Sequence, residues 1–561
     1  MAPANDSTAN GSNQIRIRAG ARFLLPAAFV LFLATAVGFQ WVGGAFRSEF
    51  SDSADEPAHY VTGLMVRDYL AAGIPWPPMR YAENYYLHYP KVALGHWPPF
   101  FYLVQAAWTL LFSPSRVSVL LLVAVLAAMV ATTLFGVLRK EFSVALGVAA
   151  GLFVLSVPTF QTQSRAVMSE TLETLLAFWA VLAFGRYLET ERWREAAWFG
   201  LLASLCLLTK GTGITLALVP LPAVFLARRS RLLARISFWL PALMVLALCG
   251  PWYLLVRGAQ HEAVARYGGS HIAFWTLWMT PLRWFLLLGA GASLLFLAGL
   301  WAQASRWARE RRVPAAWAGA VSYLAAVYVI RLLVPAFTTR HLVLGLPMLA
   351  MFVAAGAERV MARVPGTRPG TARGAVLLAL AVALQLAYAV HATRPKDYTG
   401  FMEVARDLTA KPEFRDSAIM VVSGELGEGM LVSEVAMREK RPGHIVLRAG
   451  KMLARSSWMG DSYQMLYQSP AEVMGCLANI PVALLVVDGL PETRYRHQDL
   501  VLEMLRTYPE RWRLARSYPR YRNGSGVRGT IDLYRLVGHE GKPPGGIRIE
   551  MPKTLGRTIG N

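Results

Sequence analysis

The sequence predicts a polytopic α-helical membrane protein with about eleven transmembrane helices, followed by a small C-terminal α/β domain outside the membrane. Three observations predict it. The 561 residues are 55% hydrophobic and only 16% charged, where soluble domains carry about a quarter of charged residues. The apolar residues gather in runs of roughly 15–23, long enough to cross a hydrocarbon core about 30 Å thick. Beyond about Arg394 the character changes, and short β-rich runs alternate with helix-like stretches.

The first apolar run covers 23–42. Arg16, Arg18 and Arg22 precede it and no small-residue cleavage site follows, so it reads as a retained helix behind a polar, disordered tail. Further runs lie at 97–112, 117–138, 143–160, 172–184, 196–208, 214–227, 236–256, 284–302, 315–330, 342–356 and 375–390. Counting all of them as spans puts the basic clusters on the wrong side. The run at 97–112 is short and aromatic and opens on Pro98-Pro99, which suits the start of a helix lying at the interface. Without it, the loops holding Arg139-Lys140, Arg186/Arg192/Arg194, Arg228/Arg229/Arg231/Arg235, Arg306/Arg309/Arg311/Arg312 and Arg359/Arg363/Arg368/Arg373 share the side of the N-terminus. With the N-terminal arginines that gathers about twenty cations in short loops, where the charge bias is most reliable. The expected organisation is a cytoplasmic tail over 1–22, a membrane domain over 23–392 with a first external loop at 44–116, and an extracytoplasmic α/β domain over 393–561.

Several function classes fall away. A net charge of +22 would suggest nucleic acid in a soluble protein, but here the cations set topology, so no nucleic-acid partner is expected. Cys206, Cys249 and Cys476 form no Cys-x-x-Cys pair, which supports neither a zinc site nor a disulfide framework. The segment Ser423-Gly424-Glu425-Leu426-Gly427-Glu428-Gly429 follows a β-rich run, where a phosphate loop could stand. Its two glutamates would repel phosphate, and it reads as an ordinary turn. The spans hold almost no ionisable residue, with Glu173 at the outer lip the nearest. An ion-coupled transporter needs titratable groups near the midplane.

The charged groups collect at the outer surface instead. Asp55 and Glu56 follow the first span at the start of a helix, with Pro57 in its first turn and His59 just beyond. A carboxylate there is favoured by the helix dipole, so plain capping competes with a catalytic reading at even weight. His96 opens the interfacial helix at the same depth. Glu170 lies in the second outer loop with Arg165 nearby, Lys210 opens the third, and Arg340-His341 closes the last. Each alone reads as an interfacial residue. Together they suit a displacement in which a base deprotonates an acceptor hydroxyl while cations stabilise charge on a departing phosphate.

This series resembles the GT-C superfamily of integral-membrane glycosyltransferases, in the branch of protein O-mannosyltransferases and lipid A aminoarabinose transferases. The resemblance rests on the Asp55-Glu56 pair, the Pro98-Pro99 aromatic helix, Glu170, the Thr209-Lys210-Gly211 step and the Arg340 to Pro347 segment, and covers roughly 15–390. It implies a bacterial inner-membrane enzyme whose donor is a polyprenyl-phosphate-linked sugar, transferred with inversion to a lipid, glycan or protein acceptor at the outer face. It implies that Asp55 is the catalytic acid with Glu56 beside it, that Lys210 and Arg340 hold the lipid phosphate, and that His59, His96, Glu170 and His341 support substrate. No cofactor is certain. Family members more often carry Asp where this chain has Glu170, which leaves a divalent metal there open. The aminoarabinose branch has Lys before its proline pair, where this chain has His96-Trp97. The alternatives are a lipid-linked glycan carrier or flippase that performs no chemistry, or a scaffold that has lost activity.

Overall fold

In the computed structural model every one of these apolar runs is largely helical. The structure describes residues 7–93, 95–256, 274–333, 339–363, 373–392, 395–415, 417–455, 463–480, 482–522, 528–538, 548–551 and 557–560. Residues 1–6 of the expected tail, Arg368, Arg394 and most of the expected loop 257–283 lie outside them.

Helix α1 spans Ser7–Val42, beginning within the stretch expected to be disordered. Three helices follow in the first loop: α2 at Asp55–Ala71, α3 at Pro78–His88 and α4 at Phe100–Leu111. Helices α5 (Arg116–Glu141) and α6 (Val144–Ser156) each begin on a serine whose side chain accepts a backbone N–H, Ser115 from Ser118 and Ser143 from Leu146. Such caps supply partners to the otherwise orphaned first turn. The short α7 (Pro158–Ser164) leads to α8 (Glu170–Thr190) and α9 (Trp193–Thr209). A 3₁₀ segment over Gly211–Leu218 then continues into α10 (Pro220–Leu226) and α11 (Ile236–Leu255). Next come α12 (Phe274–Leu288), α13 (Ala290–Glu310) and α14 (Ala315–Leu333). A 3₁₀ turn at Thr339–Gly345 precedes α15 (Leu346–Met361) and α16 (Arg373–Ala392).

By length and composition, 6 helices among the described residues can cross a membrane, or up to 8 if each bent pair is one span. That is fewer than the sequence suggests, for identifiable reasons. The run at 143–160 breaks at Val157-Pro158 with a 71° bend, and the run at 284–302 bends by 114° at Gly289. Gly289 holds φ +77°, a conformation glycine adopts without the Cβ clash of other residues. The run at 214–227 divides between the 3₁₀ segment and α10, and α9, at 17 residues, is short. Within the bundle, α13 and α15 meet where Gly299 faces Gly356. A Cβ on either would fall within 2 Å of a backbone carbonyl oxygen of the other helix, so only glycines permit this approach.

After Gly400 the chain forms α17 (Phe401–Ala410) and a five-stranded sheet of order β2-β1-β5-β7-β6. Its strands are β1 (Ala418–Val422), β2 (Ile445–Arg448), β5 (Val482–Asp488), β6 (Trp512–Tyr521) and β7 (Arg528–Leu536), with a separate small pairing of β3 (Ala454–Arg455) and β4 (Gln464–Met465). Strand β1 pairs in parallel with β2 and β5, while β7 runs antiparallel to β5 and β6. Every residue of β1 and β5 is buried, as expected of parallel strands covered on both faces. The glutamate-bearing segment after β1 is not a loop. Only Ser423-Gly424 turns, and Glu425–Arg438 is helix α18.

This α/β unit rests on the first-loop helices through buried ion pairs. Arg116 of α5 and Arg438 both meet Glu434 of α18, and Arg441 Nε donates to Asp68 of α2 at 2.6 Å. Arg520 of β6 is fully buried, 3.4 Å from Glu49 and 3.2 Å from Glu492, with its guanidinium over the Phe401 ring. Removing one partner of such a pair leaves an uncompensated buried charge. The seam therefore fixes α2, and whatever α2 carries, against the C-terminal unit.

Candidate functional site

Helix α2 begins with Asp55 and Glu56 in its first turn, and Glu170 and Glu173 occupy the first turn of α8. Both helix starts favour carboxylates. Lys210 caps the C-terminus of α9 in extended backbone, and Arg340 is the second residue of the 3₁₀ turn before α15. These four termini converge. Arg340 Nη1 donates to Asp55 Oδ2 at 3.0 Å, Arg340 Nε lies 3.5 Å from Glu170 Oε1, and Lys210 Nζ donates to the same oxygen at 2.5 Å. The result is an alternating series, Asp55–Arg340–Glu170–Lys210, drawn from four separate segments.

Burial grades along the series. The Glu170 side chain is 0% exposed and Lys210 10%, while Asp55 is 17% and Arg340 32% exposed. The Asp55 end therefore opens to solvent and the Glu170 end is closed. Burial, the largest influence, opposes ionisation of Asp55, but the neighbouring charges, Arg340 foremost, together outweigh it and hold the carboxyl below its usual range. Glu170 Oε2 is buried without a hydrogen-bond partner, as is Glu173 Oε2 one turn deeper. His341 is buried close enough to Glu170 and Lys210 to feel both charges.

Glu56, though adjacent in sequence, belongs to a different set of contacts. Its oxygens accept from the Asp52 backbone N–H at 2.8 Å, the Val167 N–H at 3.1 Å and Lys396 Nζ at 2.9 and 3.1 Å. A carboxylate so saturated braces the first loop against the second loop and against the chain leaving α16. Lys396 also lies 3.8 Å from Asp52. Sequence reasoning missed Lys396. Its only signal was a lysine and an aspartate just past the last apolar run.

His59 lies one turn beyond Asp55 and is buried. Its Nδ1 is 2.9 Å from the Tyr102 hydroxyl, and its ring stacks on Trp97 at 4.2 Å. Burial pushes its pKa down to about 4, despite the attraction of Asp55 and Glu170, so the ring is neutral at pH 7. His96 packs edge-on against Trp97 at 4.8 Å, which places it at the outer end of this aromatic row. Lys91 was also unforeseen. It is buried, its Cε would stand 3.0 Å from a Cβ at Gly429 of α18, and burial followed by repulsion from Arg448 lowers its pKa to about 7.

Among the described residues no group of three or more His, Cys, Asp or Glu could hold a metal ion. Glu170, where the resemblance leaves a metal open, is already paired with Lys210 and Arg340. The donor set around it does not fit a divalent cation.

Comparison with known proteins bears on the fold that carries these residues. Residues 96–255 match the family model described as dolichyl-phosphate-mannose-protein mannosyltransferase. A crystal structure of ArnT from Cupriavidus metallidurans bound to undecaprenyl phosphate is 14% identical with a TM-score of 0.56, over 91% of this chain and 98% of that one. The archaeal oligosaccharyltransferase AglB from Archaeoglobus fulgidus, in complex with an inhibitory peptide and a dolichol-phosphate, is 13% identical with a TM-score of 0.52, over 91% and 74%. The arabinofuranosyltransferase AftD from Mycobacteria is 15% identical with a TM-score of 0.50, over 93% and 40%. No curated protein sequence matches. The chain is a polytopic membrane protein with the fold of the GT-C superfamily of glycosyltransferases, and segment 96–255 adds a sequence match to that fold.

Proposed function

We propose that this protein transfers a sugar from a polyprenyl-phosphate-linked donor to an acceptor hydroxyl at the outer face of the bacterial inner membrane, with inversion. The observation that carries the reading is the Asp55–Arg340–Glu170–Lys210 series, which holds a partly buried carboxylate and two cations in one contact chain. The undecaprenyl phosphate bound to ArnT and the dolichol-phosphate bound to AglB support a lipid carrier of this kind.

The paired state explains how the base is held ready. While Arg340 holds Asp55, the carboxylate is a weak base. A donor phosphate arriving at Lys210 and Arg340 competes for the guanidinium and releases Asp55. The acceptor oxygen then attacks the anomeric carbon, its proton passes to Asp55, and the bond from that carbon to the phosphate oxygen breaks. The electron pair leaves with the polyprenyl phosphate, whose growing charge Lys210 and Arg340 neutralise. A single displacement inverts the anomeric centre. Neutral His59, with Trp97 and His96, walls the acceptor side, while His341 stands by the phosphate side. Glu170 keeps the two cations apart and oriented.

The test offers purified protein a panel of radiolabelled polyprenyl-phosphate sugars with a crude envelope acceptor, and the anomeric configuration of the product is read by NMR. Label leaving one donor with inverted configuration supports the reading. Retained configuration, or passage of intact donor lipid across a vesicle without transfer, contradicts it.

A further inference from the structure

The opposite end of the bundle holds a second charged feature that transfer chemistry does not use. A recess of about 480 Å³ opens between α10 and the α13–α14 turn, lined by Arg228, Arg311 and Arg312 over a wall that includes Phe225, Trp307 and Val313. No acidic residue lines it. The neighbouring arginines have carboxylate partners: Arg229, Arg231 and Arg235 share Glu191 at 3.3, 2.5 and 2.9 Å, and Arg306 reaches Glu310 at 2.8 Å. Among the described residues Arg228, Arg311 and Arg312 have no ion-pair partner, and all three are exposed.

The recess is built rather than incidental. Val313 N donates to Leu226 O at 3.1 Å, locking together the two turns that carry these arginines. Arg228 and Arg311 both hold φ +54°, left-handed backbone that non-glycine residues seldom adopt. Trp307 Nε1 is buried in the same wall without a hydrogen-bond partner. Topology alone requires cations in this loop region but does not require three unneutralised ones around one apolar-walled recess. Guanidinium groups bind phosphate oxygens through paired N–H donors, and the adjoining apolar side chains suit an acyl chain.

We infer that this recess holds the phosphodiester headgroup of an anionic phospholipid. The test uses full-length protein in neutral detergent. Retention of dioleoyl phosphatidylglycerol is read by native mass spectrometry and thermal shift, with dioleoyl phosphatidylcholine and soluble glycerol phosphate as comparisons. The variant R228Q/R311Q/R312Q alters only exposed side chains. R186Q/R192Q/R359Q removes three exposed arginines outside the recess and controls for net charge. Wild type and the control retain phosphatidylglycerol, and the triple variant loses it by on the order of tenfold or more, with phosphatidylcholine unaffected throughout. Equal retention by the triple variant, equal binding of phosphatidylcholine, an equal loss in the control, or stabilisation by glycerol phosphate without lipid retention would each overturn the assignment.

Discussion

Arg340 and Asp55 stand 285 positions apart and meet at 3.0 Å. The contact joins the start of α2, in the first loop, to the turn before α15, and it makes the basicity of Asp55 depend on what else Arg340 is holding. Burial acts against the charge on Asp55 and Arg340 acts for it.

Arg340→Gln should therefore raise the pKa of Asp55, because burial then acts with less opposition. The acidic limb of the pH profile of kcat/KM should move to higher pH, by on the order of one unit, and donor KM should rise with it. A profile measured between pH 4 and 8 checks both. An unmoved acidic limb would show that Asp55 does not titrate in the rate.

Glu56 and Lys396 act as a brace. Lys396→Met leaves the buried Glu56 carboxylate with backbone N–H partners but no cation, and Glu56→Gln leaves the buried ammonium only the more distant Asp52. Each should cost about 3–5 kcal/mol, read as a lowered unfolding midpoint in detergent. The double variant should recover much of that loss, since neither charge remains. Transfer by the double variant should fall less than with any change at Asp55.

His59 gives the stability a pH dependence with a definite sign. Its pKa is about 4 in the folded chain against an ordinary value of 6.5. Between those values the unfolded chain binds a proton that the native ring refuses, so stability is lost as pH falls from 6.5 towards 4. The full effect is on the order of 3 kcal/mol. His59→Asn should flatten the fall in unfolding midpoint between pH 7 and 4.5, although it loses the contacts to Trp97 and Tyr102 at every pH.

The apolar runs were legible because lipid demands continuous hydrophobic length, and each landed on helix. Their breaks were less so. A proline at 158 and a glycine at 289 bend two runs sharply, and composition windows average over such single residues. In the C-terminal unit, the β-rich runs at 418–422, 444–447, 481–487 and 531–536 were legible and fall on β1, β2, β5 and β7. Strand β6 was missed because it is an arginine-rich edge strand holding Pro519, where most side chains face solvent. The site residues Asp55, Glu170, Lys210 and Arg340 were each readable from charge at a span boundary. The division of labour between Asp55 and Glu56 was not, because it depends on Lys396 and on the backbone of Val167, far away in sequence. The same holds for Lys91, whose environment comes from α18.

The most direct measurement is single-turnover transfer from a polyprenyl-phosphate sugar by wild type and Asp55→Asn, with donor binding measured separately on each. Asp55→Asn should keep its fold and bind donor at least as well as wild type, since Arg340 is less engaged. Its turnover should fall by about 10²–10⁴, the usual worth of a general base. Turnover equal to wild type, with donor bound, would remove Asp55 from the chemistry and contradict its role as the base.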